Sequence, residues 1–249
     1  MTAACSILGD PSVFPVYAFD GSTNYLSKAA NLTGISSSKT GLISLFPYWN
    51  TNLGRSIFAA KSAGNDIISV SLTPANPAQI QVTLSDATGA NSWSFKSTST
   101  FAVNTWKHIL ISWDTGYSAG SKVAYIYAND TDLGATTVSD SMGNANVGWA
   151  DATNWYVGSD SSGTSLFTGC MAQLAFYPGV TFDITNSSNR RLFSDSSFHP
   201  IYLGESGATP TGTAATVYIG NSPSSIGTNK GTGGNFTANG SFSACSSSP

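Results

Sequence analysis

Apolar and polar residues alternate with a period of two in short stretches along most of this chain, the pattern of strands that lay one face on a core. The stretches are Val13–Phe19, Leu42–Trp49, Ser56–Lys61, Asp66–Leu72, Gln79–Leu84, Trp106–Asp114, Lys122–Ala128, Trp155–Gly158 and Gly169–Tyr177. In WKHILISWD, Trp106, His108, Leu110 and Ser112 point one way, while Lys107, Ile109, Ile111 and Trp113 point the other. Bulk on both faces predicts a central strand. In GCMAQLAFY the same alternation puts Cys170, Ala172, Leu174 and Phe176 on one face. Asn129 and Asp130, which tolerate left-handed backbone, follow the Lys122–Ala128 run and predict a hairpin turn there.

Helix is nearly absent from the pattern. Only Asn186–Phe193 offers a capping residue, Asn186 or Ser187, ahead of a short turn with Arg190, Arg191 and Leu192. From Glu205 onward Gly, Thr, Ser and Pro dominate, interrupted by Ala215–Ile219 and Asn235–Phe242. Short strands separated by turns predict an all-β protein, an antiparallel jelly-roll β-sandwich with a loop-rich C-terminal tail. The expected organisation is an N-terminal segment over 1–12, a sandwich over 13–185, and an extension over 186–249 that packs on the same sandwich.

Composition narrows the functional classes. Only 9% of the 249 residues are charged, the net charge is −3, and Ser and Thr make up 67 positions. Without a basic stripe to neutralise phosphates or anionic headgroups, nucleic acid and membrane surfaces are not expected partners. The N-terminus has no basic region, and its apolar stretch breaks at Gly9, Asp10 and Pro11, so no signal peptide is expected and synthesis is placed in a cytoplasm. Three cysteines, Cys5, Cys170 and Cys245, are too scattered for a metal site. Cys170 reads as a small packed thiol, and whether Cys5 and Cys245 meet stays open.

The segment from Phe101 to Asn129 carries Phe101, Trp106, His108, Trp113, Tyr125, Tyr127 and Asn129 in an order that resembles the central stretch of laminin-G-like, concanavalin A-like jelly rolls. FDGSTNYL (Phe19–Leu26) resembles the opening strand of that family, and YVGSD with FTGCMAQLAFYPG (Phe167–Gly179) its closing strands. The resemblance spans about residues 14 to 182 and implies fold more than activity, because lectins, adhesion modules and glucanases share it. NRRLF (Asn189–Phe193), HPIYLGESGATPTG (His199–Gly212) and NKGTGGNFTANGSF (Asn229–Phe242) resemble tails that follow such jelly rolls in structural proteins of tailed bacteriophages. That resemblance implies a virion protein, a head decoration or tail-fibre component made in the host cytoplasm and displayed on the particle surface. It also implies other virion proteins as partners and a homo-oligomer, a trimer for a fibre or decoration site. The alternative is a lectin module that acts through its glycan contact.

Glucanases of this fold carry Glu-x-Asp-x-x-Glu, because retaining hydrolysis needs two adjacent carboxyl groups. Here Glu205 is the single Glu, beside twelve Asp, so no catalytic residue is assigned and the protein is expected to be no enzyme. No cofactor is expected. Calcium, which the resemblance implies for some relatives, has Asn129, Asp130 and Asp132 as its candidate ligands, with Asp86 and Asp114 no better supported; the hairpin turn is the favoured explanation of the first group, because turns take Asn and Asp without any ion. His108 reads as a packed strand residue and His199 as a turn residue. For glycan, loop aromatics with neighbouring amides or carboxylates are the candidates: Trp149 with Asp151 and Asn154, Tyr117, and Tyr48 beside Trp49 and Asn50.

Overall fold

The computed structural model describes residues 14–50, 55–74, 77–116 and 122–249. Its first strands are β1 (Tyr17–Asp20), β2 (Tyr25–Lys28), β3 (Thr40–Trp49), β4 (Ser56–Ser62), β5 (Asn65–Leu72), β6 (Ile80–Ser85), β7 (Ser92–Lys96) and β8 (Ile109–Asp114). There follow β9 (Val123–Ala128), β10 (Thr131–Asp132), β11 (Thr136–Asp140), β12 (Asn154–Val157), β13 (Thr168–Pro178), helix α1 (Ser187–Arg190), β14 (Val217–Ile219), β15 (Thr237–Asn239) and β16 (Ser243–Ala244). They form two eight-stranded antiparallel sheets, the jelly-roll sandwich that the alternation predicts. One sheet runs β10-β9-β8-β3-β13-β1-β16, with β14 also on β13; the other runs β11-β7-β6-β5-β4-β12-β2-β15.

The main core lies between the sheets. Phe176 sits at its centre, with ring centroids 5.2 Å from Phe58, 5.3 Å from Trp149 and 5.9 Å from Trp155. β8 lies between β9 and β3, and its two bulky faces have separate uses. Ile109, Ile111 and Trp113 enter the main core, while Leu110 faces a second core on the outer side of the same sheet. There Leu42, Leu110, Tyr127 and Tyr177 are covered by Ile184, Phe193, Leu203 and Tyr218 from the chain beyond β13. Residues after 186 therefore form a third layer, and they also supply β14 and β16 to one sheet and β15 to the other.

Helix α1 is the one predicted, capped by Asn186, whose side chain accepts the Ser188 N–H at 2.9 Å. It delivers Arg190 into the protein. The buried guanidinium donates through Nε to Asp130 at 2.8 Å and through Nη1 to the carbonyls of Ile184 and Thr185 at 2.7 and 2.9 Å. It also lies 4.2 Å from the centre of the Tyr127 ring. Arg191 engages the other oxygen of Asp130.

Two expectations are corrected. Strict alternation fails in β13, where Ala172 and Gln173 stand opposite the single residue Phe46. This bulge shifts the side-chain parity, so Met171, Leu174 and Phe176 share the main core and Cys170 faces away from Leu174 and Phe176. Cys170 is not a packed thiol: it forms a disulfide with Cys245, with Cα atoms 6.1 Å apart. β16, ending one residue before Cys245, pairs with β1, which pairs with the start of β13, and this brings the two cysteines together. Cys5 lies outside the described residues.

Candidate functional site

The third layer leaves part of the outer sheet face open. Beyond β13, Pro178 and Gly179 turn the chain back over the sheet; Gly179 takes φ +78° and donates its N–H to the Thr40 carbonyl at 2.8 Å. The segment 180–183 then stands beside the ends of β3, β8 and β9 and encloses a cleft of about 230 Å³. Strand register sets its floor, with Ser112 opposite Tyr125, and Asp114 opposite both Thr40 and Val123. Val180, Thr181, Phe182 and Asp183 form the wall. Gly41 belongs to the lining at a point where a Cβ would enter the Trp113 ring, so this corner of the sheet packs tightly.

Tyr125 is 38% exposed, one of few large apolar side chains at the surface. Asp114 accepts the Gly116 N–H on Oδ1 at 2.7 Å. Asp183 accepts the Thr185 hydroxyl and N–H at 2.6 and 2.9 Å, and these bonds hold its carboxyl below the usual carboxylate range. A glycosidase acid needs the opposite shift, toward retention of its proton. The cleft therefore offers ring surface, hydroxyls and fixed acceptors for binding.

None of the glycan candidates from the sequence that are described lines this cleft. Trp149 is corrected: it sits in a 3-10 turn (Trp149–Asp151), is fully buried, and donates its indole N–H to Ser38 Oγ at 2.9 Å. Its ring fills the core beside Phe176 and cannot receive a sugar, because a large aromatic in a short Gly-flanked loop is drawn inward by the apolar area it buries. Asp151 is exposed, while Asn154 lies half-buried in the other sheet opposite Lys61 and donates to Thr153 Oγ1 at 3.1 Å. Tyr48 is half-buried against Trp106 at 5.7 Å, and Tyr117 lies outside the described residues. The signal that could have found the site is Tyr125, a large ring on an outer strand face opposite the Ser112 of a central strand that ends in Asp114.

The proposed calcium ligands have other work. Asn129 and Asp130 take φ of 46° and 64°, the two left-handed residues of the hairpin between β9 and β10. Asp130 is committed to Arg190 and Arg191, Asn129 accepts the His108 N–H at 2.7 Å, and Asp132 accepts the Gly134 N–H at 2.8 Å. Two guanidinium groups already hold both oxygens of that carboxylate and balance its charge, so the cluster is a poor fit for calcium. Asp86 likewise caps its own turn through Thr88, at 2.7 and 3.0 Å. Among the described residues no group of three or more His, Cys, Asp or Glu could hold a metal ion.

His108 is buried, its ring parallel to Phe46 at 4.4 Å, with Nε2 3.1 Å from Ser44 Oγ. Burial pushes its pKa down to about 3. The folded protein thus keeps the ring neutral where the unfolded chain binds a proton. Stability from this residue is full above pH 6.5 and is lost as pH falls toward 3. Between pH 6.5 and 5 the expected loss is about 2 kcal/mol. Urea unfolding at the two pH values measures it, and a His108→Gln variant with the same slope would refute the assignment. His199 pairs with Asp195 at 3.0 Å in a surface turn.

Fold and cleft together define a lectin-like jelly roll with an appended layer. The chain belongs to the concanavalin A-like lectin/glucanases superfamily, whose Laminin_G_3 family model matches residues 20–183. No curated protein matches it. A Bacteroides ovatus structure solved as a candidate carbohydrate binding protein is similar with a TM-score of 0.58 and 13% identity, over 95% of this chain and 62% of that one. The heptameric SAP-like pentraxin of Limulus polyphemus is similar with a TM-score of 0.51 and 12% identity, over 70% of this chain and 80% of that one. At such identities the likeness is one of fold.

Proposed function

We propose that this chain is a non-enzymatic structural protein on the outside of a tailed-phage particle, a head decoration or tail-fibre component, and that it binds host-surface glycan through the cleft at Tyr125. The observation that carries the glycan part is the composition of the cleft. A sugar ring presents an apolar face of C–H groups and a rim of hydroxyls. Tyr125 and Phe182 suit the first; Ser112, Asp114, Thr181 and Asp183 suit the second. The carbohydrate-binding description of the Bacteroides protein, which has the same fold, supports this reading. The virion setting rests on the tail-like motifs after residue 189 and on a surface rich in hydroxyls and poor in charge, whose contacts are little screened by salt. Assembly as a trimer would turn one weak cleft into an avid surface. This reading assigns no metal to the contact, so EDTA is expected to leave binding unchanged.

Titration against host polysaccharide tests the cleft. Tyr125→Ala should weaken binding at least about tenfold, the loss of one stacked ring, with unchanged circular dichroism. Wild-type affinity in that variant sinks the glycan assignment. Detection of the chain in purified particles separates the virion protein from a lectin module that acts by itself.

A further inference from the structure

We infer that the cleft selects saccharides bearing a free amine and excludes those bearing carboxylate or sulfate, an inference that rests on the glycan reading above. The observation is where the charges around the cleft point. Two carboxylates, Asp114 and Asp183, belong to its lining. No Lys, Arg or His is among the described lining residues, and Lys39, Lys122 and Arg190 each have a partner of their own. Lys39, next to Thr40, donates to Asn144 at 2.9 Å. Lys122, next to Val123, is held by Asp140 at 2.6 Å, with its ammonium 5.9 Å from the centre of the Trp93 ring. Arg190 is locked by Asp130 and two carbonyls.

The two acids are fixed acceptors. Gly116 holds one oxygen of Asp114, and the other makes no hydrogen bond among the described residues. Thr185 orients Asp183 through two bonds to one oxygen. An ammonium group brings three donors and a charge to acceptors that are already in place. A carboxylate or sulfate entering the same space would face two like charges, with no cation among the described lining residues to answer them. Apolar ring contact with Tyr125 and Phe182 is common to all sugars, so the charge of the substituent decides among them.

Binding of glucosamine, N-acetylglucosamine and glucuronic acid oligosaccharides of equal length tests the inference. The amine form should bind about two- to fivefold tighter than the acetylated form, and the uronate should bind weaker by a similar factor. Asp114→Asn and Asp183→Asn should each bring the first ratio toward one. Uronate bound as well as the amine, with Tyr125→Ala still weakening binding, overturns the charge selection and leaves the glycan site standing. An amine preference that survives in both Asn variants overturns the assignment to these residues. No saccharide bound at all, or binding indifferent to Tyr125→Ala, overturns the glycan reading together with this one.

Discussion

Reduction of the Cys170–Cys245 disulfide is expected to lower stability by about 4 kcal/mol, because it frees a loop of 75 residues that the bond closes in the unfolded chain. For a domain of this size that is a fall in Tm on the order of 10 °C. Few other contacts replace it. β16 pairs with β1 over two residues, the Cys245 N–H reaches the Val16 carbonyl at 3.3 Å, and Phe242 meets Phe19 edge-on at 5.4 Å. Thermal unfolding with and without reductant, and of Cys170→Ser, measures the effect. Coincident melting curves would show that the bond contributes nothing the fold needs.

Arg190→Ala is expected to cost about 3–5 kcal/mol, since it strands part of Asp130 and two carbonyls in a buried site. Arg190→Lys should recover little of this. A single ammonium cannot reproduce a planar fork that meets three acceptors while lying flat on Tyr127. Arg191→Ala should cost about 1 kcal/mol or less, because that side chain is a third exposed and its pair is screened. Urea denaturation of the three variants ranks them. Arg190→Lys at wild-type stability would mean that charge alone, without the fork, holds the third layer on the sheet.

Much of the sandwich was legible because its strands are short apolar-rich runs bounded by turn residues, some alternating with polar positions as in β5 and others apolar on both faces as in β3, β8 and β13. β3, β5, β8, β9 and β13 lie where the pattern puts them, within a few residues. β7 (SWSFK) alternates too, yet it is short and flanked by Ser and Thr, which dilutes the signal. β11 was silent for a different reason: all five of its residues are exposed, so it carries no contrast between faces. The disulfide was hidden by the bulge in β13, since perfect alternation turns Cys170 toward the core. The cleft was illegible because it is made by chain reversal. Tyr125 and Asp114 sit on strands the sequence reveals, but the wall at 180–183 reaches them only through the turn at Gly179. Trp149 misled because an aromatic in a loop reads the same whether its ring points out or in.

Pairing order also dictates when this molecule can become itself. β1 lies between β13 and β16, and β2 between β12 and β15, so the two strands made first are each enclosed by strands made much later. Such distant pairings close slowly. Until β15 and β16 have been synthesised, both sheets keep an open edge at β1 and β2. Folding is therefore completed only after synthesis of the last strands, and the interval before that is when nascent chains of this protein are most exposed to joining one another edge to edge.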